Sequence, residues 1–147
     1  MRLVVQRVSR AAVRVGERTV ARTGLGLLVL VGVGRDDPPG EEAWLARKLY
    51  HLRVFEDEEG KMNRSLAEVG GEVLLVPNFT LYGDVRRGRR PSWERAAPPE
   101  VAEERVEALA RALEALGARV ARGAFGEHME VELVNDGPVT LLLEPPR

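Results

Sequence analysis

The sequence predicts a single α/β domain with a mixed, largely antiparallel sheet, barrel-like in its layers, and two covering helices. Three observations carry that prediction. Residues 2–33 are a succession of apolar and β-branched runs broken by short turns. Two later stretches, 41–52 and 100–116, repeat their apolar residues at helical spacing. The chain then returns to strand-like runs as far as Glu144. With 147 residues and no internal repeat, linker or low-complexity tract, residues 1–147 form one domain long enough to bury a core.

Leu3-Val4-Val5-Gln6-Arg7-Val8 and Ala12-Val13-Arg14-Val15 read as strands, and Gly16-Glu17 as a turn into Arg18-Thr19-Val20-Ala21. Residues 25–33 are nearly all apolar, as expected of a strand buried on both faces. Arg7 falls in phase with Leu3 and Val5. An arginine there either finds carboxylates or backbone carbonyls, or snorkels outward from the strand end.

Asp36-Asp37-Pro38-Pro39 caps and starts a helix over 41–52, with Leu45, Leu49 and Leu52 on one stripe. His51 at its end suits the helix dipole better than it suits catalysis. Arg53-Val54-Phe55 and Lys61-Met62 flank Asp57-Glu58-Glu59-Gly60 as a hairpin, and 65–71 reads as a loop or short turn. A short strand over 72–76 runs out at Pro77-Asn78. Pro98-Pro99 introduces the helix over 100–116, whose stripe is Ala102, Val106, Leu109, Leu113 and Leu116, and Gly117 stops it. A strand follows over 118–121. Met129, Val131 and Leu133 then alternate with Glu130, Glu132 and Val134, which gives a strand with one solvated face.

Asn135-Asp136-Gly137-Pro138-Val139-Thr140 lies between two apolar runs. It is either an ordinary hairpin turn or a site that recognises a ligand through backbone oxygens, because Gly137 and Pro138 leave two carbonyls unscreened.

The 22 basic and 23 acidic residues nearly cancel, so a nucleic-acid or membrane partner has to be met by a local patch. Arg86, Arg87, Arg89 and Arg90 beside Trp93 are that patch. They are either a solvated charged loop or a phosphate-binding one, with Trp93 free to stack on a base. There is no cysteine, which excludes disulfide and thiolate chemistry. His51 and His128 have no metal-ligand spacing, and no metal or cofactor is expected. The start lacks signal-peptide character and no run approaches a membrane span, so a soluble, cytoplasmic protein without a membrane partner is expected.

No Ser/His/Asp set, P-loop or paired ligands are present, and Thr80 has no evident base to activate it. The remaining polar groups sit in two loops after strands, 77–80 and 135–140. Backbone amides at such a corner can form an oxyanion hole without any special side chain.

Several motifs occur together in order: Val4-Val5-Gln6-Arg7-Val8, Phe79-Thr80-Leu81-Tyr82-Gly83-Asp84, Gly88-Arg89-Arg90-Pro91-Ser92, Gly123-Ala124-Phe125-Gly126 and Asn135-Asp136-Gly137-Pro138-Val139-Thr140. Over essentially the whole chain they resemble the D-aminoacyl-tRNA deacylase family. The resemblance implies that family's fold and ester hydrolysis of D-aminoacyl-tRNA, and of glycyl-tRNA mischarged on tRNA-Ala. It implies no cofactor, and a homodimer in which the Gly137-Pro138 turn, expected to be cis, enters the partner's site. There its carbonyls hold the substrate amino group and exclude an L side chain.

By the same resemblance, the amides of Phe79 and Thr80 hold the ester carbonyl oxygen and Pro77 and Asn78 line the substrate site. Arg7 and Asn135 brace the turn, Arg86, Arg87, Arg89 and Arg90 meet the tRNA, and a ribose hydroxyl helps to activate water. One departure stands out, since many members have Ser-Gln where this chain has Pro77-Asn78. That leaves open a related deacylase with relaxed chirality, and the arginines beside Trp93 leave open a non-catalytic tRNA-binding module.

Overall fold

One long strand organises the fold. In the computed structural model, which describes residues 1–147, β1 (Arg2–Val15) pairs with three neighbours, all antiparallel. Its first half meets β3 (Gly26–Gly32) and its second half meets β2 (Arg18–Thr23), while β8 (Glu130–Leu143) runs along it on the other side. Beyond β3 the sheet turns parallel, through β6 (Glu72–Pro77) to β7 (Arg119–Arg122). The expected mixed and largely antiparallel sheet is therefore present. The two strands expected at the N-terminus are one, bent where the β8 register shifts around Val8.

Helices α1 (Glu41–His51) and α3 (Pro99–Ala115) pack together over one sheet face. Their buried Leu45, Leu49, Leu109 and Leu113 meet Leu3, Val5, Leu27, Val29 and Val31 in the main core. Strand alternation turns Leu28, Leu74 and Val76 to the opposite face, where they join Val8 and Val13. The expected hairpin is β4 (Phe55–Glu56) with β5 (Met62–Arg64). The stretch read as a loop or short turn contains a third helix, α2 (Leu66–Val69). Ser65 and Glu68 start it with a reciprocal capping box. No helix is long and apolar enough to cross a membrane.

The hairpin reading of residues 135–140 is overturned. Both halves of β8 pair with the same strand in the same sense, Asn135 opposite Val8 and Thr140 opposite Gln6. The chain therefore does not reverse. Residues 136–139 bulge out opposite the single residue Arg7. The expected apolar face of β8 is also only half-covered, for Val131 and Leu133 are half-buried and Leu142 is 76% exposed.

A buried charge cluster closes the other end of β1. The Met1 ammonium lies 2.7 Å from Asp37 Oδ2 and 2.5 Å from Glu41 Oε2, and Arg147 reaches the other oxygens of both carboxylates. The Gly34 amide donates to Asp37 at 2.6 Å and the Tyr82 hydroxyl at 3.3 Å. Burial, then the Asp37 charge, pushes the Tyr82 hydroxyl up from 10.0 to about 12. Because the folded value is raised, Tyr82's contribution to stability is complete below the ordinary tyrosine range and fades as the pH climbs towards about 12. In a Tyr50→Phe variant, which leaves Tyr82 as the one tyrosine, absorbance titration should show the phenol ionising near pH 12. Resistance to urea should fall over the same range. Ionisation in the ordinary tyrosine range with the fold intact would contradict this account.

Candidate active site

The parallel pairing of β3 with β6 ends at Val31 and Pro77. Pro77 has no N–H with which to continue a ladder, and the Asn78 amide makes the last bond, to the Val31 carbonyl at 2.8 Å. Asn78 then starts a 3-10 turn, Phe79–Tyr82. Its Oδ1 accepts from the Thr80 amide at 3.2 Å and from the Thr80 hydroxyl at 2.5 Å. The Thr80 amide is thus occupied, whereas the Phe79 amide has no acceptor within the chain.

A cleft of about 840 Å³ opens at these carboxyl ends, the position where α/β sheets place their ligands. Leu30, Val31 and Val76 form its floor, and Pro77 to Thr80 with Trp93 form one wall. The start of α3 and the segment Gly126 to Met129 form the other. The lining is mainly apolar, with a few main-chain and polar groups converging on it. Phe79 and Trp93 meet edge to face at its mouth, ring centres 5.1 Å apart, and both remain partly exposed. Trp93 also lies against Gly83, where an added Cβ would come within 2.8 Å of the indole. No cluster of three or more His, Asp or Glu side chains is placed to hold a metal ion.

The arginine loop leaves this mouth and is closed at its base by paired backbone bonds between Asp84 and Ser92, each 2.8 Å. Arg86 folds back onto Asp84 with two side-chain bonds of 2.9 and 2.7 Å. Those bonds hold the Asp84 carboxyl down at about 2. Arg87, Arg89 and Arg90 are exposed and form no salt bridge, so three of the four guanidiniums are free.

Arg7 is buried rather than snorkelling. Its Nε donates to the Asp136 carbonyl at 2.7 Å and its Nη1 to the Val54 carbonyl at 2.8 Å. Asn135 spans the bulge from within, donating to the Val139 carbonyl at 3.1 Å and accepting from the Val139 amide at 2.8 Å. The Gly137-Pro138 peptide bond is cis, and both residues are exposed. None of residues 135–139 lines the cleft of its own chain. The fold therefore gathers Pro77, Asn78, Phe79 and Thr80 at one site and sets Arg7, Asn135, Gly137 and Pro138 at another.

Glu127 and His128 also line the cleft, which sequence reasoning did not foresee. The available signal was their place directly after Gly123-Ala124-Phe125-Gly126. His51 lies on the last turn of α1, away from this cleft.

Comparison with known proteins matches residues 4–144 to the family model described as D-Tyr-tRNA(Tyr) deacylase. A D-aminoacyl-tRNA deacylase of Desulforudis audaxviator is 59% identical over 144 residues, covering 98% of this chain and 97% of the relative. One from Symbiobacterium thermophilum is also 59% identical, with 98% and 95% covered. Among solved structures, a "c-Myc DNA Unwinding Element Binding Protein" superposes with a TM-score of 0.92 at 40% identity, covering all of both chains. A probable eukaryotic D-amino acid tRNA deacylase, at 20% identity, shares the fold with a TM-score of 0.80 over 97% of each chain. With a match that leaves out only a few residues at either end, this chain belongs to the D-Tyr-tRNA(Tyr) deacylase family.

Proposed function

We propose that this protein hydrolyses the ester that joins a D-amino acid to the 3′ end of tRNA, releasing the free amino acid and tRNA in the cytoplasm. The observation that carries this reading is a cleft whose free donor at the strand corner is a backbone amide, that of Phe79, in a chain of this family. Water adds to the acyl carbon, the ester C–O bond breaks, and the ribose oxygen leaves with a proton. The Phe79 amide holds the carbonyl oxygen as it gains charge. The Thr80 amide joins it when Asn78 yields its cap to the substrate. A ribose hydroxyl next to the ester assists the water, so no side-chain nucleophile is needed.

Chirality is read by a second copy of the chain. Each Gly137-Pro138 bulge enters the neighbour's cleft, where its carbonyls receive the substrate ammonium and leave no room for an L side chain. Two features support this: the bulge lies outside its own cleft, and partly exposed Val134, Leu141 and Leu142 flank it. A patch that pairs with itself gives a two-fold dimer. Glycine has no side chain to exclude, so glycyl-tRNA is accepted as well. The free guanidiniums of Arg87, Arg89 and Arg90 meet phosphates near the acceptor end.

With sub-stoichiometric protein, D-Tyr-tRNA should be deacylated at least about 100-fold faster than L-Tyr-tRNA, a ratio within reach of steric exclusion. Equal loss of both, or loss of neither, would contradict the reading. Gly137→Ala tests the bulge, because a Cβ there would come within 2.5 Å of the Val139 amide nitrogen and 2.8 Å of its Cγ2. The exposed loop shifts rather than the core, so the thermal midpoint should hold while deacylation falls about 100-fold, the usual cost of a displacement of roughly 1 Å. Unchanged kinetics would remove the bulge from the mechanism.

A further inference from the structure

A second basic site lies away from the cleft, at the C-terminal end of α1. Trp44, Arg47, Lys48, His51, Leu52 and Arg53 line a concave pocket of about 380 Å³. Arg47, Lys48 and Arg53 are exposed, and none of them takes part in a salt bridge, unlike Lys61 and Arg64 of the hairpin. Of the carboxylates on α1 and α2, Glu41 holds the Met1 ammonium and Glu42 holds Arg105. Glu68, bound into the capping box of Ser65, feels the Arg53 charge without forming a salt bridge with it. The Lys48 ammonium sits over the Trp44 ring, 5.2 Å from its centre, so the pocket combines unpaired cations with an aromatic face.

Cations in a last helical turn suit the dipole, but that alone does not gather Arg53, beyond the helix end, into the same hollow with Arg47. The pocket is also tied to the bulge. Arg53 precedes Val54, whose carbonyl accepts from the same Arg7 guanidinium that holds the Asp136 carbonyl. Where the bulge goes, this pocket follows.

We infer that the α1 pocket binds the sugar-phosphate backbone of tRNA, and that it serves the neighbouring subunit's active site rather than its own. The inference rests on the deacylase reading and on the bulge entering the partner's cleft. With the bulge in the partner's cleft, the link through Val54 and Arg7 carries this pocket towards that cleft. The pocket's size suits a few phosphodiester groups, and unpaired guanidiniums match their oxygens.

The test is fluorescence anisotropy of labelled, uncharged tRNA with the full-length protein, measured across a salt series. Replacing Arg47, Lys48 and Arg53 together by Gln should weaken binding about 10-fold or more and lower the slope of log K against log salt by about 2, since each phosphate contact contributes roughly 0.7–0.9. The thermal midpoint should not move. Replacing the exposed Arg18, Arg22 and Arg111 by Gln removes the same charge elsewhere and should leave affinity and slope as they were. The inference is overturned if the two triple variants behave alike. It is also overturned if tRNA binds no more tightly than inorganic phosphate at constant ionic strength, which would make this a small-anion site. Because the probe is uncharged, failure here is separate from failure of the deacylase reading, which would appear as no turnover of D-Tyr-tRNA by the unaltered protein.

Discussion

The Arg7 guanidinium is buried where three segments of chain meet, and much of the proposed chemistry depends on it. It leaves the core face of β1, reaches the Val54 carbonyl just before β4, and reaches the Asp136 carbonyl at the root of the β8 bulge. Its nearest carboxylates, Glu56 and Asp136, stand off at 3.7 and 3.8 Å. The charge is therefore met mainly by carbonyl dipoles, and those bonds are costly to lose once buried. A lysine could not replace the fork, because two carbonyls in different directions need two fixed N–H vectors. Asn135 closes the bulge from inside, but Arg7 fixes it to the rest of the fold.

Much of this was legible in the sequence where the signal is local. The stripes of both long helices follow from spacing up to their last members, Leu52 and Leu116, which fall at the C-caps, where Leu116 is exposed. The buried run of β3 and the charged hairpin follow from spacing as well. Arg7 announced itself by falling in phase with Leu3 and Val5, although its partners lie 47 and 129 residues away. The bulge was not legible in this way. Asn-Asp-Gly-Pro carries the same local chemistry whether the chain reverses or merely swells outward. Only the distant pairing of both flanks with β1 decides between them.

The cleft was hidden for a related reason. Its floor exists because β3 and β6 run parallel, and a parallel pairing between residues 26–31 and 72–77 leaves no turn signal behind. Pro77 and Asn78 were visible as a departure from the family pattern. Their consequence, a terminated strand followed by a capped 3-10 turn, depends on the distant pairing with Val31. The arginine run was visible too, but the withdrawal of Arg86 onto Asp84 was not, since nothing in the sequence orients that pair. The sequence holds no standard set of catalytic side chains, which fits a site whose proposed working groups are main-chain amides and carbonyls. Such groups are set by the path of the backbone rather than by residue type.

The central claim is that one subunit's bulge completes the other subunit's cleft. Two variants, each inactive alone, test it most directly when refolded together. Gly137→Ala spoils the bulge, and Thr80→Trp fills the cleft from an exposed position on its wall. If the bulge acts across the two-fold axis, mixed dimers have one site in which both parts are sound. An equal mixture then recovers about a quarter of the unaltered activity on D-Tyr-tRNA, as random pairing of two chains requires. A mixture that stays as inactive as its components would mean that bulge and cleft work within one chain, and the account would fail.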